Sequence, residues 1–310
     1  MHLENVVAVN LLVDNMGKCD YYIHECSFTV AEGKDSIEHI NRLITSNIKL
    51  ISNLESVETL VCNANGRITD SLQILRIEEQ LLILGITEVA ENTRKLIVSG
   101  IHWNEDVRIM NGDMILSKVS VIGSEENLQK VILGKDIQLN ENKWFIWGEK
   151  YFKKTTYGEA SKMDIILKTS EIGRFIEDEI SPHSNKLTKD DWNKFRVENG
   201  ILSFEEYEHN LLPSELGLDK FVDLKKGCYP GQEIHARLES RGKLKRKIKK
   251  FNSNKIIQPG KYSSENGKKI NITTSTGKNG FFIVNNLDGE SIEIEDLSLS
   301  HEELDSIEIC

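Results

Sequence analysis

The sequence has no long apolar run. In 310 residues, of which 39% are hydrophobic, no stretch approaches the roughly 20 consecutive apolar residues that a bilayer-spanning helix needs. The first apolar run, Val6–Val13, is short, lies between Glu4 and Asp14, and follows no basic leader. We therefore expect this run to be a strand rather than a secretory signal, and we expect no contact with a membrane.

The cysteines are few and scattered. There are five, Cys19, Cys26, Cys62, Cys228 and Cys310, and no two stand at CxxC spacing. An odd number without paired spacing argues against a disulfide framework, and against a zinc site or an iron–sulfur cluster held by this chain alone. We expect no metal site and a reducing, cytoplasmic compartment.

Acidic residues outnumber basic ones in the sequence. The chain has 39 Lys and Arg against 49 Asp and Glu, a net charge of −10, which disfavours non-specific binding of nucleic acid or membranes by the whole surface. The charge is uneven, since residues 237–250 hold eight Lys or Arg and one acid. This strip guides a phosphate- or carboxylate-bearing ligand, or it is a solvated strand edge protected by lysines. The sequence leaves both interpretations open.

Short strands and helices alternate along a chain long enough for two or three compact units. Period-two and apolar runs predict strands at Val6–Val13, Tyr21–Val30, Glu58–Cys62, Ile68–Ile77, Gln80–Ile86, Val107–Ile109, Met114–Ile122, Val131–Leu133 and Met163–Leu167. Helical periodicity predicts helices after Ser36, at Val89–Val98, after Ser124, at Glu171–Ile180 and at Lys189–Arg196. From Lys243 onward, short runs separated by Gly, Ser and Asn favour a small barrel or sandwich. The class is α+β.

A hairpin turn stands between the runs ending at Cys62 and beginning at Ile68. Its Asn65-Gly66 step is typical of tight turns that need positive φ. Asp70 follows in the second strand, and the pattern alone makes it a side chain facing water.

One stretch, Lys225 to Glu233, combines several chemical signals. Gly227 and Gly231 bracket Cys228, and Pro230 is suited to the first turn of a helix, for which Gly242 is a plausible end. A thiol just ahead of a helix N-terminus and beside lysines has a lowered pKa. The stretch is therefore a reactive thiol or an anion-binding turn, unless Cys228 is simply a small buried residue.

The helix behind this turn carries further charged residues. Glu233 and Arg237 stand at i, i+4 spacing, which predicts an ion pair. His235 lies seven residues after Cys228, more than about 10 Å along a helix with a rise of 1.5 Å per residue, so we predict that it is a surface residue.

The string Lys226-Gly227-Cys228-Tyr229-Pro230-Gly231-Gln232-Glu233, followed by Arg237 and Arg241-Gly242, resembles the signature of the YgfZ family. These folate-binding proteins are related to the T-protein, the aminomethyltransferase of the glycine cleavage system. The resemblance implies an α+β, multi-domain GcvT-like ring of antiparallel sheets with flanking helices, plus a small C-terminal β-barrel. It divides the chain into a discontinuous folate-binding domain (1–52 and 138–244), a ferredoxin-like α+β subdomain (53–137) and the barrel (245–310).

The resemblance also implies roles for individual residues. Cys228 is the reactive thiol, and Lys226 stabilises its anion or a folate carboxylate. Phe195 to Gly200 resembles a segment in which an Arg–x–Glu pair, here Arg196 and Glu198, precedes a glycine and the glutamate binds the pterin ring. A bidentate carboxylate suits the pterin edge, and a helix-end salt bridge between Arg196 and Glu198 is the alternative. The implied folate-binding set is Glu198, Arg196, Asp70, Tyr229, Gln232, Arg237 and Arg241.

One departure separates the chain from aminomethyltransferases. Where they carry a pair of aspartates, one of them catalytic, this chain has Thr69 and Asp70. The resemblance therefore favours a tetrahydrofolate-binding protein that maintains iron–sulfur client enzymes, in some relatives linked to tRNA modification. The alternatives are a true aminomethyltransferase and a non-enzymatic folate store or tRNA contact through Arg241–Lys250. Whether the chain is an enzyme stays open.

Overall fold

The structure is a computed structural model, and it describes residues 18–132, 143–158, 160–265, 267–285, 291–294, 297–302, 304 and 308–309. The predicted strand Val6–Val13 and Cys310 lie outside these residues. None of the helices in the described part of the chain is long and apolar enough to cross a membrane.

The described strands and helices are named in chain order. The strands are β1 (Cys19–His24), β2 (Ser27–Glu32), β3 (Ser56–Cys62), β4 (Ile68–Ile77), β5 (Gln80–Gly85), β6 (Arg108–Asn111), β7 (Leu116–Gly123), β8 (Trp144–Trp147), β9 (Lys150–Tyr157), β10 (Ala160–Lys168), β11 (Ser184–Lys186), β12 (Ile201–Leu202), β13 (Arg246–Ser253), β14 (Gly260–Ser263), β15 (Lys269–Ser275), β16 (Asn279–Asn285), β17 (Ser291–Ile294), β18 (Leu297–Glu302) and β19 (Glu308–Ile309). The α-helices are α1 (Ser36–Asn41), α2 (Ala90–Ser99), α3 (Glu125–Ile132), α4 (Ile172–Phe175), α5 (Lys189–Glu198), α6 (Phe204–Tyr207) and α7 (Gln232–Arg241). Short helical turns lie at Ile48–Leu50, Thr87–Val89, Thr169–Glu171, Ile176–Ile180, Pro213–Leu216 and Asp219–Phe221.

The chain divides into two compact units. Unit 1 holds residues 1–26 and 112–188, and unit 2 holds residues 27–111 and 189–310. These boundaries differ from those expected from the sequence, at 52/53, 137/138 and 244/245. The three-domain division, including the ferredoxin-like subdomain, stays a prediction.

Unit 1 is built on one six-stranded sheet, in the order β11-β1-β7-β10-β9-β8. Alternate residues of its central strands, such as Val119, Val121 and Ile165, form a buried apolar face. Phe175 and Ile180, from the helical segment after β10, pack in the same core. The period-two pattern of the strands therefore specifies which face is covered.

Unit 2 contains two larger sheets. The first, in the order β3-β4-β5-β2-β6, packs against α1 and α2 through a core that includes Ile40, Ile74 and Ile97. The second, in the order β14-β15-β16-β13-β18-β17, is formed by the C-terminal strands around Phe251 and Phe282. The predicted mixture of helices with several antiparallel sheets is confirmed, and closure of the C-terminal strands into a barrel stays a prediction.

Two of the predicted strands are wrong. Val131 and Ile132 belong to helix α3, because the apolar run there continues the helical pattern that starts after Ser124. The predicted strand Tyr21–Val30 is two strands, β1 and β2, which join different sheets. Continuous alternation could not reveal this break, because the periodicity reports burial and not the identity of the neighbouring strand.

Candidate functional site

Two turns that the sequence singles out lie against each other in unit 2. The tip of the β3–β4 hairpin meets the turn before α7, and a Cβ placed on Gly231 would lie 2.4 Å from the Cα of Gly66 and 2.8 Å from the carbonyl oxygen of Asn63. Gly66 and Gly231 have φ of +70° and +85°. Both the backbone conformation and the close approach therefore require glycine at position 231.

His235 joins the two turns. Its Nε2 lies 2.8 Å from the carbonyl oxygen of Gly66, and its Nδ1 lies 3.2 Å from the Tyr229 hydroxyl. The residue is 7% exposed, so the prediction that it is a surface residue is wrong. The reason is that α7 begins at Gln232, which places His235 in the first turn of the helix and turned toward the hairpin. Burial lowers the pKa of His235.

Cys228 is exposed and lies outside the helix. The prediction that Pro230 lies in the first turn of the helix is wrong, because Gly231 adopts a left-handed conformation and the helix begins at the next residue. Cys62, at the end of β3, is buried, and burial raises the pKa of its thiol to about 12. Among the cysteines in the described residues, Cys228 is the exposed one.

Lys226 lies beside the aromatic ring of the same turn. Its Nζ is 5.5 Å from the centroid of the Tyr229 ring and donates a hydrogen bond to the carbonyl oxygen of Asn41. Burial lowers the pKa of this amine to about 8, and the nearby Asp223 opposes the shift. At neutral pH the residue is therefore a cation held in a partly apolar setting.

Gln232 and Arg237 occupy different settings on α7. The Gln232 side chain donates from Nε2 to the carbonyl oxygen of Leu224 at 3.0 Å, which ties the helix start to the segment before the turn. Arg237 forms the predicted ion pair with Glu233, and both side chains are largely exposed. The side chain of Arg241 lies outside the described part of the structure.

A cavity of about 650 Å³ opens beside the hairpin. Thr69, Thr93, Phe204, Glu208 and Pro230 are among its lining residues. Pro230 belongs to the Cys228 turn, so this turn reaches the cavity wall. Glu198, Lys226 and Cys228 do not line the cavity.

Asp70 lies behind the wall of this cavity. It is 1% exposed, which contradicts the water-facing position that the strand pattern favours, and it accepts hydrogen bonds from the Thr93 hydroxyl at 2.5 Å and from the Ile86 amide at 3.2 Å. Burial raises its pKa to about 7. Of Thr69 and Asp70, which the resemblance places opposite the aspartate pair, Thr69 lines the cavity and Asp70 does not.

Arg196 is a buried connector. It is 1% exposed and pairs with Glu206 at 2.9 Å, and it donates to the hydroxyl of Thr274 in β15 at 2.7 Å. Arg196 and Glu198 stand two residues apart on α5, and such residues point to different sides of a helix. Glu198 is half-buried, and burial raises its pKa. Of the two charged residues in this segment, Arg196 is therefore a buried structural residue, and Glu198 is a partly exposed carboxylate.

A buried polar cluster in unit 1 had no sequence signal. The Ser120 hydroxyl donates to Asp164 and lies 2.7 Å from Nε2 of His24, while Lys118 and Lys162 pair with Asp164 at 3.8 and 3.2 Å. Burial alone would raise the pKa of Asp164, but the two lysines hold it below its usual range. Adjacent strands bring these residues together, so spacing in the sequence could not reveal them. No group of three or more His, Cys, Asp or Glu within the described ranges is arranged to hold a metal ion.

Comparisons with known proteins agree with this fold. A scan of protein-family models finds no match. The chain is 22% identical over 260 residues to an aminomethyltransferase of Thermotoga neapolitana, covering 79% of this chain and 70% of the relative, and 24% identical over 297 residues to that of Thermosipho melanesiensis, covering 88% and 76%. A putative chloroplastic transferase of Arabidopsis thaliana is 37% identical over 94 residues, 29% of this chain and 21% of the relative.

The crystal structure of the glycine cleavage system aminomethyltransferase T of Bartonella henselae superimposes with a TM-score of 0.79 at 12% identity, covering 96% of this chain and 88% of that one. The chain therefore has the fold of the aminomethyltransferase T-proteins, and its sequence is similar to theirs at low identity. That it resembles the YgfZ branch in particular stays a prediction.

Proposed function

We propose that the chain is a tetrahydrofolate-binding protein of the YgfZ type that maintains iron–sulfur enzymes, with Cys228 as its reactive thiol. The observation that supports this best is the exposure of Cys228 in a turn that is packed against the hairpin and that also carries Lys226, two residues earlier in the chain. A reducing cytoplasmic compartment, which keeps this thiol free, belongs to the same proposal.

The site offers two settings for a folate. Glu198 is a half-buried carboxylate that can accept two hydrogen bonds from the pterin edge, as the resemblance implies. The cavity beside the hairpin has a volume within the usual range of small-molecule sites and an aromatic wall at Phe204. When bound, tetrahydrofolate would supply a carrier for one-carbon units, and the chain's part is to hold its ring.

Titration of tetrahydrofolate into the wild type, Glu198→Gln and Glu208→Gln tests whether the folate binds at Glu198 or in the cavity. We expect Glu198→Gln to weaken binding about 10- to 100-fold, because hydrogen bonds to a charged group are worth about 1.5–3 kcal/mol. Glu208→Gln, which changes the carboxylate on the cavity wall, should bind as the wild type does. If Glu208→Gln weakened binding and Glu198→Gln did not, the folate would bind in the cavity. If none of the three proteins bound tetrahydrofolate, the folate half of the proposal would fail.

The role of the thiol is tested in cells that lack the wild-type protein. Complementation with Cys228→Ala should fail to restore the activity of iron–sulfur enzymes, whereas Cys62→Ala should restore it. Full restoration by Cys228→Ala would end the proposal for iron–sulfur maintenance.

Aminomethyl transfer is the second candidate, because the relatives compared above carry that name. Against it stands Thr69 on the cavity wall, where a carboxylate would be needed as an acid–base group. We expect no one-carbon transfer from an aminomethylated lipoyl carrier to tetrahydrofolate by the wild type. Transfer by the wild type at a rate that Thr69→Ala abolishes would make this candidate the better one.

A tRNA contact through Arg241–Lys250 has weaker support. Arg246 pairs with Glu215 at 3.0 Å and Lys250 pairs with Glu302 at 3.2 Å, so part of the positive charge of this strip is neutralised within the chain. Lys243 and Lys245 are exposed. Salt-sensitive tRNA binding that is lost in Lys243→Gln/Lys245→Gln would support the contact, and binding unaffected by these changes would exclude it.

A further inference from the structure

His235 makes two hydrogen bonds that allow one arrangement of protons. The Gly66 carbonyl can only accept, so Nε2 carries the hydrogen of the neutral ring at their 2.8 Å contact. Nδ1 then accepts from the Tyr229 hydroxyl at 3.2 Å. The neutral imidazole thus bridges a carbonyl of the hairpin and a phenol of the Cys228 turn.

The same bridge reaches the lysine. The ring of Tyr229 carries Lys226 at 5.5 Å from its centroid, and Cys228 lies between these two residues in the chain. Tyr229 is 7% exposed, so its ring is held in place by packing as well as by His235. If the Tyr229 hydroxyl lost its hydrogen bond to His235, the aromatic ring against which the Lys226 ammonium lies would be held less firmly.

The close contact between Gly66 and Gly231 leaves the His235 bridge little room to move. Gly231 leaves no space for a Cβ against Gly66, and the amide of Ile234 donates to the carbonyl of Gly231 at 3.0 Å. Hairpin, turn and helix start therefore form one packed contact, while the Cys228 side chain is free in solvent.

We propose that His235 is a positioning residue for Cys228. It anchors the turn at residues 227–231 to the hairpin, through Tyr229 and Gly66, and thereby fixes the backbone that carries the thiol. This inference rests on the proposed role of Cys228 as a reactive thiol, and it adds the residue that makes the thiol's surroundings rigid.

Protonation should release this anchor. A second hydrogen on Nδ1 would require the Tyr229 hydroxyl to rotate and accept it, and it would place a positive charge on a ring that is 7% exposed. The groups that face the ring are Gly66 and Tyr229, with Asp219 as the nearby charge that favours the protonated form. Because burial disfavours the charged ring and lowers its pKa, the turn should loosen as the pH falls below the ordinary range of histidine.

The test measures the rate of alkylation of Cys228 by iodoacetamide between pH 5.5 and 9, read by peptide mass spectrometry to separate Cys228 from Cys26 and Cys310. The variants are His235→Gln, whose amide nitrogen can still donate toward Gly66, and Tyr229→Phe, which keeps the ring and removes the hydroxyl. His209→Gln, a histidine elsewhere in unit 2, is the matched control.

We expect the rate of alkylation at pH 7 to fall about threefold in His235→Gln and in Tyr229→Phe, because the backbone that presents the thiol is held less firmly. His209→Gln should match the wild type. Hydrogen exchange of the peptide covering residues 226–236, corrected for the intrinsic exchange rate at each pH, should rise about fivefold in the two variants, and in the wild type it should rise as the pH drops below 6.

Unchanged alkylation profiles and exchange in both variants would overturn the inference, as would an equal effect of His209→Gln. If His235→Gln is poorly folded, Tyr229→Phe decides the question alone. These readouts concern the thiol's chemistry and not iron–sulfur enzymes, so failure of the proposed function in cells and failure of the His235 anchor are separate results.

Discussion

Cys62 and Cys228 belong to the two regions that meet at the hairpin, and they differ in their surroundings. Cys62 ends β3 in the hydrophobic core of unit 2, and burial raises its pKa to about 12. Cys228 stands in the turn that packs on the hairpin's tip and is exposed. The same chemical group is thus inert in one region and accessible in the other, because desolvation penalises the thiolate.

The difference in thiol reactivity is the largest expected effect. In the folded protein at pH 7.5, Cys228 should react with iodoacetamide at least about 100-fold faster than Cys62, because only the thiolate attacks and Cys62 is both buried and protonated. Peptide mass spectrometry over time measures both rates. In urea at unfolding concentrations the two rates should converge, and rates that are already similar in the folded chain would break the comparison.

The contact between the two regions can be broken with one methyl group. Gly231→Ala should lower the free energy of unfolding by about 3 kcal/mol, because the new Cβ meets the Gly66 backbone in a left-handed conformation. Gly227→Ala is the matched control, since its φ of +111° is also strained but nothing lies within 4 Å of its Cβ. Urea unfolding should rank Gly231→Ala as the more destabilised, and an equal loss in both would show that the contact is unimportant.

The free energy of unfolding should depend on pH through Asp70, on the buried side of the hairpin. The pKa of Asp70 is raised from 3.8 to about 7, so the folded state binds its proton more tightly than the unfolded state. The resulting stability is fully present below about pH 4 and is lost progressively as the pH rises through about 7.

Asp70→Asn should remove this dependence, because the amide can donate to Thr93 and accept from the Ile86 amide without charge. Urea unfolding of both proteins at pH 4.5, 6 and 8 measures the slopes. Parallel pH profiles for the wild type and Asp70→Asn would contradict the assignment.

The smallest effect is expected on the exposed side of α7. Arg237→Ala should change the free energy of unfolding by less than about 0.5 kcal/mol, because its ion pair with Glu233 is largely exposed. Tetrahydrofolate titration of the same variant tests the separate prediction that Arg237 binds folate. A loss of stability above 1 kcal/mol would mean that Arg237 makes contacts beyond its exposed ion pair with Glu233.

Local features of the fold followed from the sequence. The Asn65-Gly66 step placed the hairpin, Gly242 ended α7 after Arg241, and the spacing of Glu233 and Arg237 gave their ion pair. These predictions succeed because each depends on residues within a few positions along the chain.

The candidate site depended more on tertiary structure. The sequence groups Arg196 with Glu198, yet Arg196 is buried against Glu206. The strand pattern predicts that Asp70 faces water, yet its carboxylate is buried and bonded to Thr93. A strand or helix pattern gives the two faces of an element but not what covers them. The Thr69-Asp70 step could be located from the sequence, whereas the residue of the two that faces the cavity could not.

By itself the sequence determined the hairpin turn, the end of α7 before Gly242 and the position of a glycine-bracketed cysteine, since backbone conformation at such points follows from nearest neighbours. The tertiary structure decided which thiol is exposed, and which carboxyl has its pKa raised to about 7. It also decided that His235 is buried between the hairpin and the Cys228 turn. The physical reason is that burial comes from distant partners: the carbonyl that His235 binds belongs to a residue 169 positions earlier in the chain.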